Sequence, residues 1–237
     1  MHGLILAGGE GTRLRSGGIT LPKPLVQVAG QPQVVRLVET LAALGCETIT
    51  CVVRDGVPDV ERTIAATDVA VPVRVVPRRP PTSLHSLREG LDVVPPGPVF
   101  CTMVDTVMPP ADWQAVWRET RAALDAGAEA VLVVTSHVDD EKPLWVELDA
   151  GGRVTEVRDA PPADVVTGGV YAFGESVRPG AAAAVAEGLR RMRAFLRVLV
   201  AKGHRVAAVE VPRIVDLDRP SDLDDANRWL ALNEREE

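Results

Sequence analysis

The sequence predicts an α/β protein of three layers: a mostly parallel mixed sheet between two sets of helices, with a small antiparallel insertion in the second half. Three observations predict it. Short apolar runs alternate with segments of helical periodicity through residue 135. The first run, Leu4-Ile5-Leu6, passes straight into a glycine-rich loop, the form of a buried parallel strand. Past residue 140 the alternation yields to two apolar segments flanking Asp149-Ala150-Gly151-Gly152, the form of a hairpin.

The elements follow in order. After the opening strand, Val34, Leu37, Val38, Leu41 and Leu44 repeat at helical spacing between Pro32, which starts a helix, and Gly45, which stops it. Residues 48–53 form a β-branched second strand, 58–66 a short helix and 73–76 a third strand. Thr82-Ser83 offers an N-cap to a helix through Leu91. The apolar strand 99–104 stops at Asp105 and so sets an acid at a strand's carboxyl end. A helix over 110–126 closes on Gly127, and 130–135 is another apolar strand. Residues 144–148 and 153–157 are the hairpin arms, and the strand 165–173 carries Gly168-Gly169. A long helix is expected over 179–202, weakened at Gly188. Its apolar residues, Leu189, Met192, Phe195, Leu196, Leu199 and Val200, pack by default on the sheet, or else on a second subunit of a homo-oligomer. A strand over 205–211 and a helix over 220–232 close the chain. No repeat, low-complexity stretch or linker interrupts it, so a single domain over 1–237 is expected.

Composition narrows the function. At 237 residues, 46% hydrophobic, the chain can build one core that needs neither disulfide nor structural metal. Cys46, Cys51 and Cys101 form no CxxC and lie in apolar runs, as reduced core thiols of a cytoplasmic protein do. A net charge of -7 and 3% aromatic residues argue against nucleic-acid partners. The start lacks the basic region of a signal peptide, and no stretch approaches the ~18 apolar residues of a membrane helix.

The chemistry concentrates in a few segments. Gly8, Gly9 and Gly11 follow the first strand, at the sheet edge where open α/β folds bind ligands, and glycines let backbone N–H groups approach phosphate oxygens. The loop lacks the Gly-Lys-Ser/Thr of a Walker motif, and Leu14 stands where a dinucleotide loop needs glycine. Lys23 is held between Pro22 and Pro24, which restricts its direction.

Leu6-Ala7-Gly8-Gly9-Glu10-Gly11-Thr12-Arg13-Leu14 followed by Pro22-Lys23-Pro24-Leu25 resembles the signature of the sugar-1-phosphate nucleotidyltransferases. Asp105, in Met103-Val104-Asp105-Thr106, and the C-terminal Val215-Asp216-Leu217-Asp218-Arg219-Pro220-Ser221-Asp222-Leu223 match further pieces in order. The resemblance implies a Rossmann-like nucleotidyltransferase (GT-A-like) fold, with a nucleotide-binding part over about 1–135 and an acceptor-binding part over about 136–237. It implies that residues 6–12, from Leu6 and Ala7 through Gly8, Gly9, Glu10 and Gly11 to Thr12, bind the nucleotide together with Thr82 and Ser83. By the same resemblance Arg13 stabilises charge on the α-phosphate and the leaving pyrophosphate, and Lys23 contacts phosphate oxygens. Mg²⁺ would be held by Asp105 and by Asp216 or Asp218, with Asp218 favoured; Asp222 instead caps or begins the last helix. For the acceptor phosphate, Lys142 or Arg158 is the candidate, because Glu141-Lys142-Pro143 precedes the hairpin strand that it follows in relatives. Gly168 and Gly169 match the family's glycine-bearing strand, where missing side chains leave room for a sugar ring. Val104 departs from the pattern, which has glycine there.

The implied reaction joins an NMP from an NTP to a phosphorylated acceptor, a sugar 1-phosphate first. A polyol phosphate, phosphocholine or a phosphonate, as used by cytidylyltransferases, is the alternative. A GT-A glycosyltransferase would carry Asp-x-Asp where Asp105-Thr106-Val107 stands, and a non-catalytic nucleotide sensor would have lost Arg13, Lys23 or Asp105.

Overall fold

The computed structural model describes residues 1–139, 142–161, 163 and 165–233. In chain order the first half contains β1 (His2–Ala7), α1 (Thr12–Ser16), β2 (Gln27–Val28), β3 (Gln31–Pro32), α2 (Gln33–Ala43), β4 (Ile49–Arg54), α3 (Pro58–Ala65), β5 (Val73–Arg78), α4 (Ser83–Leu91), β6 (Val99–Met103), β7 (Thr106–Val107), α5 (Pro110–Asp125) and β8 (Ala130–Thr135). The second half contains β9 (Trp145–Leu148), β10 (Val154–Arg158), β11 (Val165–Phe173), α6 (Arg178–Ala186), α7 (Met192–Ala201), β12 (Val206–Glu210), β13 (Val215–Asp216) and α8 (Pro220–Asn233).

Strands β5, β4, β1 and β6 lie side by side and parallel. Strand β11 then runs antiparallel to β6 and to β8, and β12 completes the sheet parallel to β8. The β9–β10 hairpin joins the first two residues of β11. Its turn is held by Asp149 Oδ1, which accepts from the backbone N–H of Gly151 at 2.8 Å and of Arg153 at 3.0 Å.

Period-2 alternation sorts each central strand between two cores. Leu4 and Leu6 of β1 face one side, with Val52 and Cys101, under α4, α6 and α7. Ile5 and Ala7 face the other, with Cys51, Val53 and Phe100, under α2, α3 and α5. Both faces of β1 are therefore apolar, and its six residues are all buried. A third cluster of Val28, Val107, Val215, Leu217, Ala226 and Leu230 packs α8 over β7 and β13 at the carboxyl edge of the sheet. That packing carries the C-terminal acids back to the end of β6.

The expected long helix over 179–202 is two helices. Gly188, at φ +88°, closes α6, with the Leu189 and Gly188 N–H groups bonded to Ala184 and Val185 carbonyls. The apolar face of α7, with Met192, Phe195, Leu196 and Leu199, lies in this chain's own core. The hydroxyls of Thr82 and Ser83 do not cap α4. Thr82 Oγ1 donates to the Arg190 carbonyl, and Ser83 Oγ accepts from the Met192 N–H at 3.1 Å, so both tie α4 to the start of α7. No helix among the described residues is long and apolar enough to cross a membrane.

Candidate active site

The loop after β1 reaches α1 through Gly11, whose φ of +60° serves as the left-handed N-cap. A Cβ on Gly11 would lie 3.2 Å from Lys23 Cβ, so this glycine also lets the loop pass close to the lysine. Lys23 opens a 3₁₀ turn, Lys23–Leu25, and its side chain is only 8% exposed. Its Nζ donates to Asp105 Oδ2 at 2.6 Å and to Asp218 Oδ1 at 2.9 Å. Burial alone would lower the Lys23 pKa, but the two carboxylates outweigh it and hold the ammonium above the ordinary lysine value. Arg13, half exposed on α1, pairs with the other oxygen of Asp218.

Backbone contacts fix the acids. The Leu217 N–H donates to the Asp105 carbonyl at 3.0 Å, and β13 pairs with β7 through Asp216 opposite Thr106. Asp222 reaches back from the first turn of α8 to accept the N–H groups of Asp218 at 2.9 Å and Arg219 at 2.7 Å. That is the helix-start role expected for Asp222.

Two cavities flank this cluster. One, of about 400 Å³, is lined by Leu6, Gly8, Gly9, Glu10, Thr82 and Ser83, with Arg54, Arg79, Pro80, Pro81, Ser86 and Met103. Of the other residues expected at the nucleotide, Ala7 lies in the core beneath and Thr12 is exposed on α1. The second cavity, of about 520 Å³, shares Thr82, Ser83 and Met103 and is lined by Arg13, Asp105, Asp216, Lys142 and Gly169. Asp218 and Gly168 line a small neighbouring crevice of about 50 Å³.

Arg158 lies outside these cavities, bound to Glu147 and Glu156 at 2.6 Å each on the hairpin. Glu147 on the facing arm and Glu156 two residues back on the same arm hold its guanidinium there. At Gly168 and Gly169 the space that a side chain would take is filled by this chain's own residues. A Cβ on Gly168 would lie 2.1 Å from Ile214 Cδ1, and one on Gly169 2.7 Å from Thr106 Oγ1. These glycines instead form a bulge, where the β11–β8 register shifts between Thr167 and Tyr171 and Gly169 adopts φ +77°.

The structure adds Arg191 and Arg193 to the second cavity. Arg193 donates to Asp159 at 2.7 Å and to the Lys142 carbonyl at 3.1 Å, steadying the segment that bears Lys142. The basic run Arg190-Arg191-Met192-Arg193, just past Gly188, was the sequence signal; it was hidden inside an assumed helix.

A family model described as a MobA-like NTP transferase domain matches residues 3–197. Over 53 residues, 22% of this chain, the sequence is 53% identical to a mannose-1-phosphate guanyltransferase of Yarrowia lipolytica and 51% identical to that of Candida albicans. Those alignments span only 15% of each relative's length. Among solved structures, the inositol-1-phosphate CTP transferase from T. maritima aligns over 97% of this chain and 94% of its own, with TM-score 0.79 and 20% identity. A provisionally assigned glucose-1-phosphate thymidylyltransferase from Bacillus anthracis aligns over 97% of this chain and 95% of its own, with TM-score 0.81 and 17% identity. The likeness to both structures is one of fold, the three-layer arrangement described above.

Proposed function

The chain belongs to the MobA-like NTP transferase family, and on that premise we propose that it transfers a nucleoside monophosphate from an NTP to a phosphorylated acceptor, releasing pyrophosphate. A sugar 1-phosphate is the acceptor placed first, ahead of a polyol phosphate, phosphocholine or a phosphonate. One observation carries the proposal: Arg13, Lys23, Asp105 and Asp218 meet in one ion-pair cluster beside two adjoining cavities. Cavities of about 400 and 520 Å³ are each of small-molecule size. The glycine-lined one suits the nucleotide, and the basic one suits a phosphorylated acceptor.

In the proposed reaction an acceptor phosphate oxygen bonds to the α-phosphorus as the bond from that phosphorus to pyrophosphate breaks. Such transfer asks little covalent chemistry of the protein and much fixed positive charge. Arg13 would neutralise the α-phosphate and the departing pyrophosphate, and Lys23 would contact phosphate oxygens. Lys142 and Arg191 would offset the acceptor's charge so that two anions can approach. Arg158, already bound by two glutamates, has no part in this scheme.

The donor set suits Mg²⁺. Asp105 and Asp218 already hold one cation between them, the Lys23 ammonium. No cluster of three His, Cys, Asp or Glu suited to a metal occurs among the described residues. Mg²⁺ takes one or two carboxylates and completes its shell with phosphate oxygens and water, so the pair fits. Asp105 and Asp218 would hold the ion, with Asp216 beside them, and it would supply charge neutralisation to the phosphates. The proposal also treats 1–237 as a single domain working in the cytoplasm on small molecules, without nucleic acid or membrane.

The test is pyrophosphate release with Mg²⁺, four NTPs crossed with sugar 1-phosphates, inositol phosphate and phosphocholine, and Asp105→Ala as control. Turnover of one pair, lost in Asp105→Ala, is the expected result. A folded wild-type protein that binds no NTP would sink the proposal.

A further inference from the structure

Lys23 already engages both carboxylates proposed for the metal. Its ammonium lies 2.6 Å from Asp105 Oδ2 and 2.9 Å from Asp218 Oδ1, between carboxylates contributed by β6's end and by the segment before α8. Nζ takes one oxygen of each carboxylate, and a divalent ion drawing on the same pair would meet that positive charge at close range. The lysine is tethered at its base: it is 8% exposed, flanked by Pro22 and Pro24, and close at its Cβ to Gly11, so its ammonium stays near the pair. Arg13 differs on each count. It is 51% exposed and pairs with Asp218 but not with Asp105.

Resting on the transferase proposal above, we propose that Lys23 is a place-holder for the metal: in the free protein its ammonium pairs Asp105 with Asp218, and a divalent ion enters by exchange with it. Two consequences follow from charge balance. Without nucleotide, a divalent ion competes with a tethered cation and binds weakly. With nucleotide, the displaced ammonium gains phosphate oxygens as new partners, so metal and nucleotide load together. Lys23 thereby serves both halves of the cycle, keeping two carboxylates that would repel each other in position and then turning to the phosphates.

The experiment measures Mn²⁺ binding to the nucleotide-free protein by electron paramagnetic resonance, in wild type, Lys23→Met and Arg13→Met. Removing the bridging ammonium is expected to tighten Mn²⁺ binding by about tenfold or more, from the loss of one close like charge. Arg13→Met removes the same charge from the same cluster but leaves the bridge, so its gain is expected to stay within about threefold. Adding Asp105→Asn to Lys23→Met should abolish the gain. Circular dichroism confirms folding, and Lys23→Gln, which keeps a donor of similar length without charge, repeats the measurement should Lys23→Met not fold. Equal or weaker Mn²⁺ binding in the folded Lys23 variant overturns the exchange. An equal gain in Arg13→Met overturns it too, since a general field would then explain the effect. Wild-type NTP binding is a separate readout: its absence sinks the transferase proposal, whereas equal Mn²⁺ affinities sink only the exchange.

Discussion

A lysine ammonium at position 23 is shared by carboxylates 82 and 195 residues away along the chain. Burying that charge is tolerable because both partners accept hydrogen bonds from it. Its raised pKa has a clear sign. The charged form and its stabilisation persist up to the ordinary lysine value of 10.5 and are lost only above it, so Lys23 introduces no pH sensitivity near neutrality. Arg13 is the complementary case, exposed and aimed at the cavities. Arg13→Ala is expected to cost about 3 kcal/mol of transition-state stabilisation, roughly 100-fold in kcat, with unfolding by denaturant little changed. Steady-state kinetics on the pair identified by pyrophosphate release checks it. Arg13, Lys23 and Asp105 were legible as candidates because each sits in a contiguous motif whose neighbours restrict the backbone. Arg191 and Arg193 were not, because their place depends on how α7 meets α4.

The bulge in β11 shows an element shaped by close approach. Gly168→Ala would set a Cβ against Ile214 Cδ1, Cγ1 and Cβ, and is expected to destabilise the protein by about 1–3 kcal/mol. Denaturant unfolding should show part of that loss restored in the Gly168→Ala, Ile214→Ala double variant, a coupling expected of residues in contact. A second junction lies at the opposite edge. Glu129 accepts the Arg205 N–H at 2.9 Å, meets His204 Nδ1 at 3.1 Å and receives the Ser176 hydroxyl at 3.3 Å, tying β8 to β12 and to the end of β11. The backbone hydrogen bond from Arg205, helped by His204, holds the Glu129 carboxyl below its usual range. Its stabilisation is therefore present above the ordinary glutamate pKa and lost as pH falls through the lower native value. Thermal melts should show Glu129→Gln below wild type at pH 7 and the difference vanishing in acid. The strands were legible from their apolar runs, while the break after Gly188 needed the docking of α7 to decide it.

At the scale of the whole molecule, the two cores put all three cysteines out of reach of solvent. Burial pushes the Cys46 and Cys51 thiols up to about 12 and raises Cys101 as well, so almost no thiolate exists near neutrality. A thiol reagent at pH 8 should label none of them in the native protein and all three once denaturant unfolds it, as mass spectrometry would count. The alternation of apolar and polar residues, the glycine loop and the proline-flanked lysine sufficed to establish the layers, the order of most elements and the chemical character of the candidate site, because periodicity and backbone restriction are local properties. Which acid shares a cation with Asp105, why Arg158 stays on the hairpin, what fills the space beside Gly168 and Gly169, and which arginines face the second cavity were settled only in three dimensions. Each depends on side chains brought together from distant parts of the chain by burial of apolar faces, above all the packing of α8 over β7 and β13, and no local pattern encodes that meeting.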